Sequence, residues 1–195
     1  MMRKARLAIL ISGRGSNMVA LAKAAQAPDF PADVALVLAN RVNASGLETA
    51  ASMGLETLAL PHRDFATRAG FDAALSDALT AHSIDVIALA GFMRILTPDF
   101  IRQWEGRIVN IHPSLLPKYQ GLDTHARALA AGDGEAGCTV HVVTDRLDDG
   151  PILAQARVPI LADDTEETLA ARVLVEEHRI YAPALAAHIQ SILPG

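Results

Sequence analysis

The chain has 195 residues, 51% hydrophobic and 20% charged, which is the composition of one folded globular unit with room for a buried core. A formal net charge of −5 with no basic stripe gives nucleic-acid binding no electrostatic support. The single cysteine, Cys138, excludes an internal disulfide and has no metal-ligating cluster beside it, and no apolar run reaches the ~18–20 residues of a membrane span.

The N-terminal quartet Met1-Met2-Arg3-Lys4 is basic, but the apolar run after it stops at Ser12-Gly13. Residues 7–11 therefore read as a first buried strand rather than a signal peptide, and the chain as soluble and cytoplasmic. Further near-continuous apolar segments of strand length lie at 34–39, 86–90 and 108–111. Amphipathic stretches between them predict helices at about 17–26, 45–53, 65–82 and 98–104. Strands apolar on both faces suit a parallel sheet covered by helices. The alternation predicts a single α/β domain with an open, doubly wound, mostly parallel sheet.

After Gly121 the texture changes. A helix is expected at 123–131, then strand-like runs at 138–144 and 152–160. The segment 145–151 between them is rich in Asp, with a Gly and a Pro, and reads as a loop. Asp164, with Glu167 at the third helical position, predicts the N-cap of a C-terminal helix. Pro183 should kink that helix or restart it as a second one.

Strand one runs straight into Ser12-Gly13-Arg14-Gly15-Ser16-Asn17 and then a helix. Glycines at such a turn let backbone N–H groups face an anion, and the helix N-terminus adds a favourable dipole. The spacing departs from a dinucleotide fingerprint, because Met18 stands where its third glycine belongs, and no Walker lysine follows. The loop is a phosphate site or simply a tight turn with a helix cap. In an open α/β sheet, ligands gather outside the carboxyl ends of the strands. This loop, Gly91-Phe92 and His112-Pro113 all follow strands there and can share one crevice.

Asn110 and His112 are two apart at a strand end, so their side chains leave the same face. An amide donor and an imidazole together suit acyl transfer, where a carbonyl becomes an oxyanion that needs preorganised donors. A capping Asn beside a hydrogen-bonded loop His is the plainer alternative. Pro113-Ser114-Leu115-Leu116-Pro117 favours the first reading, because two prolines stiffen the loop and two leucines anchor it.

The segment 110–119, Asn-Ile-His-Pro-Ser-Leu-Leu-Pro-Lys-Tyr, resembles the signature of the folate-dependent formyltransferase family. The likeness extends to Ile11-Ser12-Gly13-Arg14-Gly15-Ser16-Asn17, Leu89-Ala90-Gly91-Phe92-Met93-Arg94-Ile95-Leu96, Val140-His141-Val142-Val143-Thr144-Asp145 and Glu177-His178-Arg179-Ile180-Tyr181. Within the family it is nearest to the members of purine biosynthesis that act on glycinamide ribonucleotide. The resemblance implies a Rossmann-like formyltransferase fold and a transferase of one-carbon metabolism. The formyl group of 10-formyltetrahydrofolate, a co-substrate, would pass to the amine of glycinamide ribonucleotide without a metal.

It also implies roles for residues. Gly15, Ser16 and Asn17 would hold the ribonucleotide phosphate, and Glu177 the ribose hydroxyls. Arg68, Met93, Arg94, Ile95, Leu96 and Asn110 would line the folate pocket. Asn110 and His112 would be catalytic, with Asp148 partnering His112 and favouring its charged form. Residues up to about 100 would form the phosphate-binding half, and about 101–195 the catalytic and folate-binding half. Partners would be the ribonucleotide and a reduced folate, without nucleic acid or membrane, in a monomer or homodimer.

The sequence departs from the family pattern at Asp149, where a small residue is common, at Gln120, where many members have proline, and at Asp123. Asp149 is expected to face solvent. Arg14 sits at a variable place in the phosphate loop. His141 is expected to be structural but could lie near the site, while His62, His82, His125, His178 and His188 read as surface or helix-packing residues. Hydrolysis is the nearest competing function, since the same oxyanion apparatus could release formate from formyl-folate. Deformylase relatives carry an extra N-terminal regulatory domain, and transfer-RNA formyltransferase relatives a C-terminal one, neither of which is expected here. A non-catalytic nucleotide-binding module using only residues 13–17 is a third reading.

Overall fold

The computed structural model describes residues 3–193; Met1 and Met2 of the basic quartet, with Pro194 and Gly195, lie outside it. Strand β1 (Ala5–Ile11) is buried at every position but Arg6, as its unbroken apolar run requires. It pairs in parallel with β2 (Ala32–Ala39) on one side and β4 (Val86–Leu89) on the other. Strand β3 (Thr57–Ala59) extends one edge, parallel to β2. Strand β5 (Ile108–His112) follows β4 in parallel, and β6 (Glu135–Val142) and β7 (Ile152–Pro159) add antiparallel strands. The sheet order is β3-β2-β1-β4-β5-β6-β7. The direction of winding reverses between β1 and β4, so a ligand crevice is expected outside their carboxyl ends.

Alternate residues of β1 face opposite sides of the sheet. Leu7, Ile9 and Ile11 join one core with Met18 and Leu21 of α1 (Ser16–Ala24) and Leu169, Val173 and Leu185 of α6 (Glu166–Ile192). Ala8 and Leu10 join the other, with Phe71, Leu75 and Leu79 of α3 (Arg68–Ala81) and Phe100 of α4 (Pro98–Gln103). Helices α2 (Ser45–Ser52) and α5 (Thr124–Ala131) complete the layers. Among the described residues no helix is long and apolar enough to cross a membrane.

The expected doubly wound α/β domain is present, with differences at the ends of elements. The helix expected over 65–82 is α3, which starts later, at Arg68, where Thr67 caps it by accepting from Gly70 N–H at 3.0 Å, and a short 3₁₀ turn, His62–Asp64, precedes it. Strand β3 was not anticipated; three residues at a sheet edge, two half-buried and one exposed, are too few to display a period of two.

The N-cap of α6 is Thr165, not Asp164, in a capping box with Thr168. Asp164 instead accepts from both terminal guanidinium nitrogens of Arg172, at 2.7 and 2.8 Å, and from Leu161 N–H. Those bonds, Arg172 foremost, hold its carboxyl well below the usual carboxylate range. Helix α6 also runs through Pro183 without restarting as a second helix. One missing N–H is outweighed there by the buried face of Ile180, Tyr181, Leu185 and Ile189.

Candidate active site

The first turn after β1 is shaped by Gly15, whose φ of 70° places it in the left-handed region as the N-cap of α1. Ser16 is exposed at the start of that helix, where a hydroxyl and free N–H groups meet a positive dipole end. The turn is braced by Gly46, whose N–H donates to the Gly13 carbonyl at 3.0 Å. A Cβ on Gly46 would lie 2.9 Å from that oxygen.

Asn17 turns inward and donates to Glu177 Oε2 at 2.6 Å, both side chains being buried. Burial pushes the Glu177 carboxyl up, and the Asn17 amide partly offsets this. The amide oxygen of Asn17 is buried without a hydrogen-bond partner. Helices α1 and α6 thus bring together two residues that the sequence placed on one nucleotide.

A strap of irregular backbone follows β4. Gly91 turns it with a φ of 72°, and the Met93 N–H donates to the Ser12 hydroxyl at 2.7 Å. Met93 and Ile95 are exposed, at 63% and 55%. The Arg94 guanidinium lies over the Phe71 ring at 4.5 Å, one turn along α3 from the exposed Arg68. The Leu96 side chain is buried in the α3/α4 core, so its backbone is what it offers a ligand. Asp72 closes the strap by accepting from Thr97 N–H at 2.6 Å.

Beside the strap stands the polar cluster at the end of β5. Asn110 pairs across the antiparallel ladder with His141, and its amide nitrogen lies 3.2 Å from His141 Nε2. The other ring nitrogen of His141 faces the Val142 carbonyl at 3.1 Å. Nδ1–H of a neutral ring donates to that carbonyl, leaving Nε2 to accept from Asn110. Burial holds the His141 ring below the ordinary imidazole range, which keeps it in this neutral form. Asn110 is half-buried, and its second amide hydrogen remains available to a ligand.

His112 is buried, with Nε2 donating to the Tyr119 carbonyl at 2.9 Å and Nδ1 3.5 Å from Asp148 Oδ2. Both ring nitrogens face oxygen atoms. The Asp148 carboxylate also accepts from Gly121 N–H at 2.9 Å and lies 3.8 Å from His141 Nε2. Tyr119 and Asp148 both hold positive φ, 57° and 49°, so the two loops that meet at His112 are constrained by their neighbours.

Asn110, His112 and Asp148 therefore converge, and Asn17 meets Glu177. Ser16, Arg68 and Ile95 are exposed on neighbouring elements, without direct contacts of this kind among the described residues. Asp149 faces solvent, 3.7 Å from Arg146, as expected. Gln120 borders the cluster, donating to the Asp148 carbonyl at 3.2 Å.

His62, His82 and His188 behave as packing residues, whereas His178 Nε2 is buried without a hydrogen-bond partner among the described residues. His188 reaches the Gly106 carbonyl and His62 the Asn40 carbonyl, while His82 bridges Ala78 and Glu56. Sequence reasoning gave no part to Asn40, and treated Ser12 only as a turn residue. The available signal was a polar side chain at the carboxyl end of each of the strands β1 and β2.

A protein-family model described as "Formyl transferase" matches residues 5–185. The phosphoribosylglycinamide formyltransferase of Escherichia coli is 46% identical over 175 residues, covering 90% of this chain and 82% of that protein. The trifunctional purine biosynthetic protein adenosine-3 of Drosophila melanogaster is 50% identical over 186 residues, but the chain spans only 14% of its length. A solved phosphoribosylglycinamide formyltransferase from Brucella melitensis superposes with a TM-score of 0.90 at 51% identity, covering 99% of this chain and 97% of that one. A glycinamide ribonucleotide transformylase from Symbiobacterium toebii gives a TM-score of 0.94 at 41% identity, covering 98% and 92%.

Proposed function

The chain belongs to the formyl transferase family, and on that premise we propose that it moves the formyl group of 10-formyltetrahydrofolate to the amine of glycinamide ribonucleotide. The products are formylglycinamide ribonucleotide and tetrahydrofolate. The observation that carries this reading is the meeting of Asn110, His112 and Asp148 beside the carboxyl ends of β4 and β5. An amide donor, an imidazole and a carboxylate together are what acyl transfer to an amine requires.

The amine nitrogen attacks the formyl carbon, and the carbonyl oxygen becomes an oxyanion facing Asn110 and His112. Collapse of that intermediate breaks the bond between the formyl carbon and the folate nitrogen. Asp148 assists the proton that leaves the attacking nitrogen for the departing one. Holding both substrates in one crevice supplies a large share of the acceleration.

Gly15, Ser16 and Asn17 bind the phosphate and Glu177 the ribose. Arg68, the strap of residues 93–96 and Asn110 bind the folate. Residues to about 100 carry the phosphate loop and about 101–195 the catalytic group, with the Asn17–Glu177 bond joining the two halves. The protein works without a metal, as a cytoplasmic monomer or homodimer.

The test follows 10-formyltetrahydrofolate by absorbance with and without glycinamide ribonucleotide. Turnover that requires the ribonucleotide is expected. Turnover without it would make the protein a formyl-folate hydrolase, and binding without turnover a nucleotide-binding module.

A further inference from the structure

The Ser12 hydroxyl stands at the point where the sheet reverses direction. It donates to Asn40 Oδ1 at 2.6 Å and accepts from the Met93 N–H at 2.7 Å. Ser12 is 5% exposed and Asn40 1%, so water cannot replace either bond at little cost. Asn40 is itself fixed: its N–H reaches the Ile11 carbonyl, and its own carbonyl accepts from the backbone and ring of His62. One hydroxyl therefore joins the ends of β1 and β2 to the backbone of the strap that follows β4.

The two sides of that bond differ in stiffness. Ser12 directly follows β1, which is paired along both edges and roots the phosphate loop. Met93 lies in irregular backbone with an exposed side chain. The strap is otherwise held by Phe92 and Leu96, whose side chains are buried in the α3/α4 core, by Arg94 on Phe71 and by Thr97 on Asp72. Beside Gly91 the Phe92 side chain packs into that core, and the Ser12 hydroxyl is the side-chain hydrogen-bond acceptor for the backbone of residues 91–96 among the described residues.

We propose that Ser12 is a positioning residue that sets the register of the folate strap, residues 91–96, against the phosphate loop, and with it the alignment of formyl donor and amine acceptor. This rests on the functional reading above for the identity of the two ligands, but the bond itself is open to a measurement that needs neither.

Native-state hydrogen exchange of Ser12→Ala, followed by NMR, reads the Met93 amide directly. Its exchange should quicken by on the order of tenfold or more while the amides of Ile87 and Ala90 hold their protection. In steady-state kinetics the same variant should raise the folate KM by on the order of tenfold and move the ribonucleotide KM by less than about twofold. Ser12→Cys keeps the volume but offers a weaker donor and acceptor, so it folds and gives the same split at smaller amplitude.

Unchanged Met93 exchange in both variants overturns the proposal, as does an equal rise of both KM values. Absence of formyl transfer by the unaltered protein overturns the functional reading alone, and the exchange result still decides whether Ser12 holds the strap.

Discussion

Nδ1 of His112 and Oδ2 of Asp148 stand 3.5 Å apart, an ion-pair distance longer than a good hydrogen bond. Catalytic hydrogen bonds are often long before substrate binds and tighten in the complex. The carboxylate is not free to drift, since Gly121 N–H holds the same oxygen at 2.9 Å. His112→Ala should lower kcat by ~10²–10³-fold with the fold intact, because it removes a donor to the oxyanion. If the pair acts as a unit, adding Asp148→Asn to that variant should cost little more, whereas Asp148→Asn alone should cost a large factor. Strict additivity of the two losses in turnover would refute a joint role.

Gly150 explains how the Asp148 loop is kept against the sheet. A Cβ there would overlap the Val142 carbonyl oxygen, and the adjoining Pro151 carbonyl accepts from Val142 N–H at 2.9 Å. Gly150→Ala should therefore push the loop outward, lowering the melting temperature through about 1–3 kcal/mol of overpacking and lowering kcat with it. Gly134→Ala, where an added Cβ meets nothing within 4 Å, is the control and should change neither. Normal melting and turnover of Gly150→Ala would mean the loop accommodates the methyl group.

The central strands were legible because a strand buried on both faces leaves a continuous apolar run, as in residues 7–11 and 86–90. Asn110 and His112 were legible because a period of two needs no tertiary information. Their partners were not: His141 faces Asn110 only through an antiparallel register, and Met93 is 81 residues from Ser12. Asp148 entered through family likeness, since nothing local to 145–151 separates it from Asp145 or Asp149. The cap of α6 was misplaced by one residue because Asp and Thr are both good caps. Arg172, two turns into the helix, decides the matter by engaging Asp164.

The ribose-binding role proposed for Glu177 would come at the expense of stability. Burial raises its folded-state pKa above the unfolded value, so the ionised group costs stability as pH rises past about 4.5, and the cost is complete above the folded pKa. Glu177→Gln keeps an acceptor for Asn17 while removing the charge. It should melt at or above the temperature of the unaltered protein at pH 7.5, and should raise the KM for glycinamide ribonucleotide. Thermal melts at two pH values with ribonucleotide titrations test both parts. A lower melting temperature at pH 7.5 would show that the buried charge contributes rather than costs.

His141 should leave its mark on the pH dependence of folding. Its folded-state pKa is depressed, chiefly by burial, against the raising effect of the Val142 carbonyl and of Asp148. The unfolded ring takes a proton near pH 6.5, which the folded ring refuses, so stability is full above that pH and falls as pH drops below it. His141→Gln removes this titration. Between pH 6.5 and 5.5 its stability should decline less steeply than that of the unaltered protein, by at most ~1.4 kcal/mol per pH unit, the value of one proton. His82, whose pKa is raised, is present in both proteins and cancels in the comparison. Urea unfolding at pH 7.5, 6.5 and 5.5 gives the two slopes whatever constant offset the substitution adds. Equal slopes would mean that the folded His141 accepts its proton as readily as the unfolded chain, and that the neutral ring holding Asn110 is not enforced by burial.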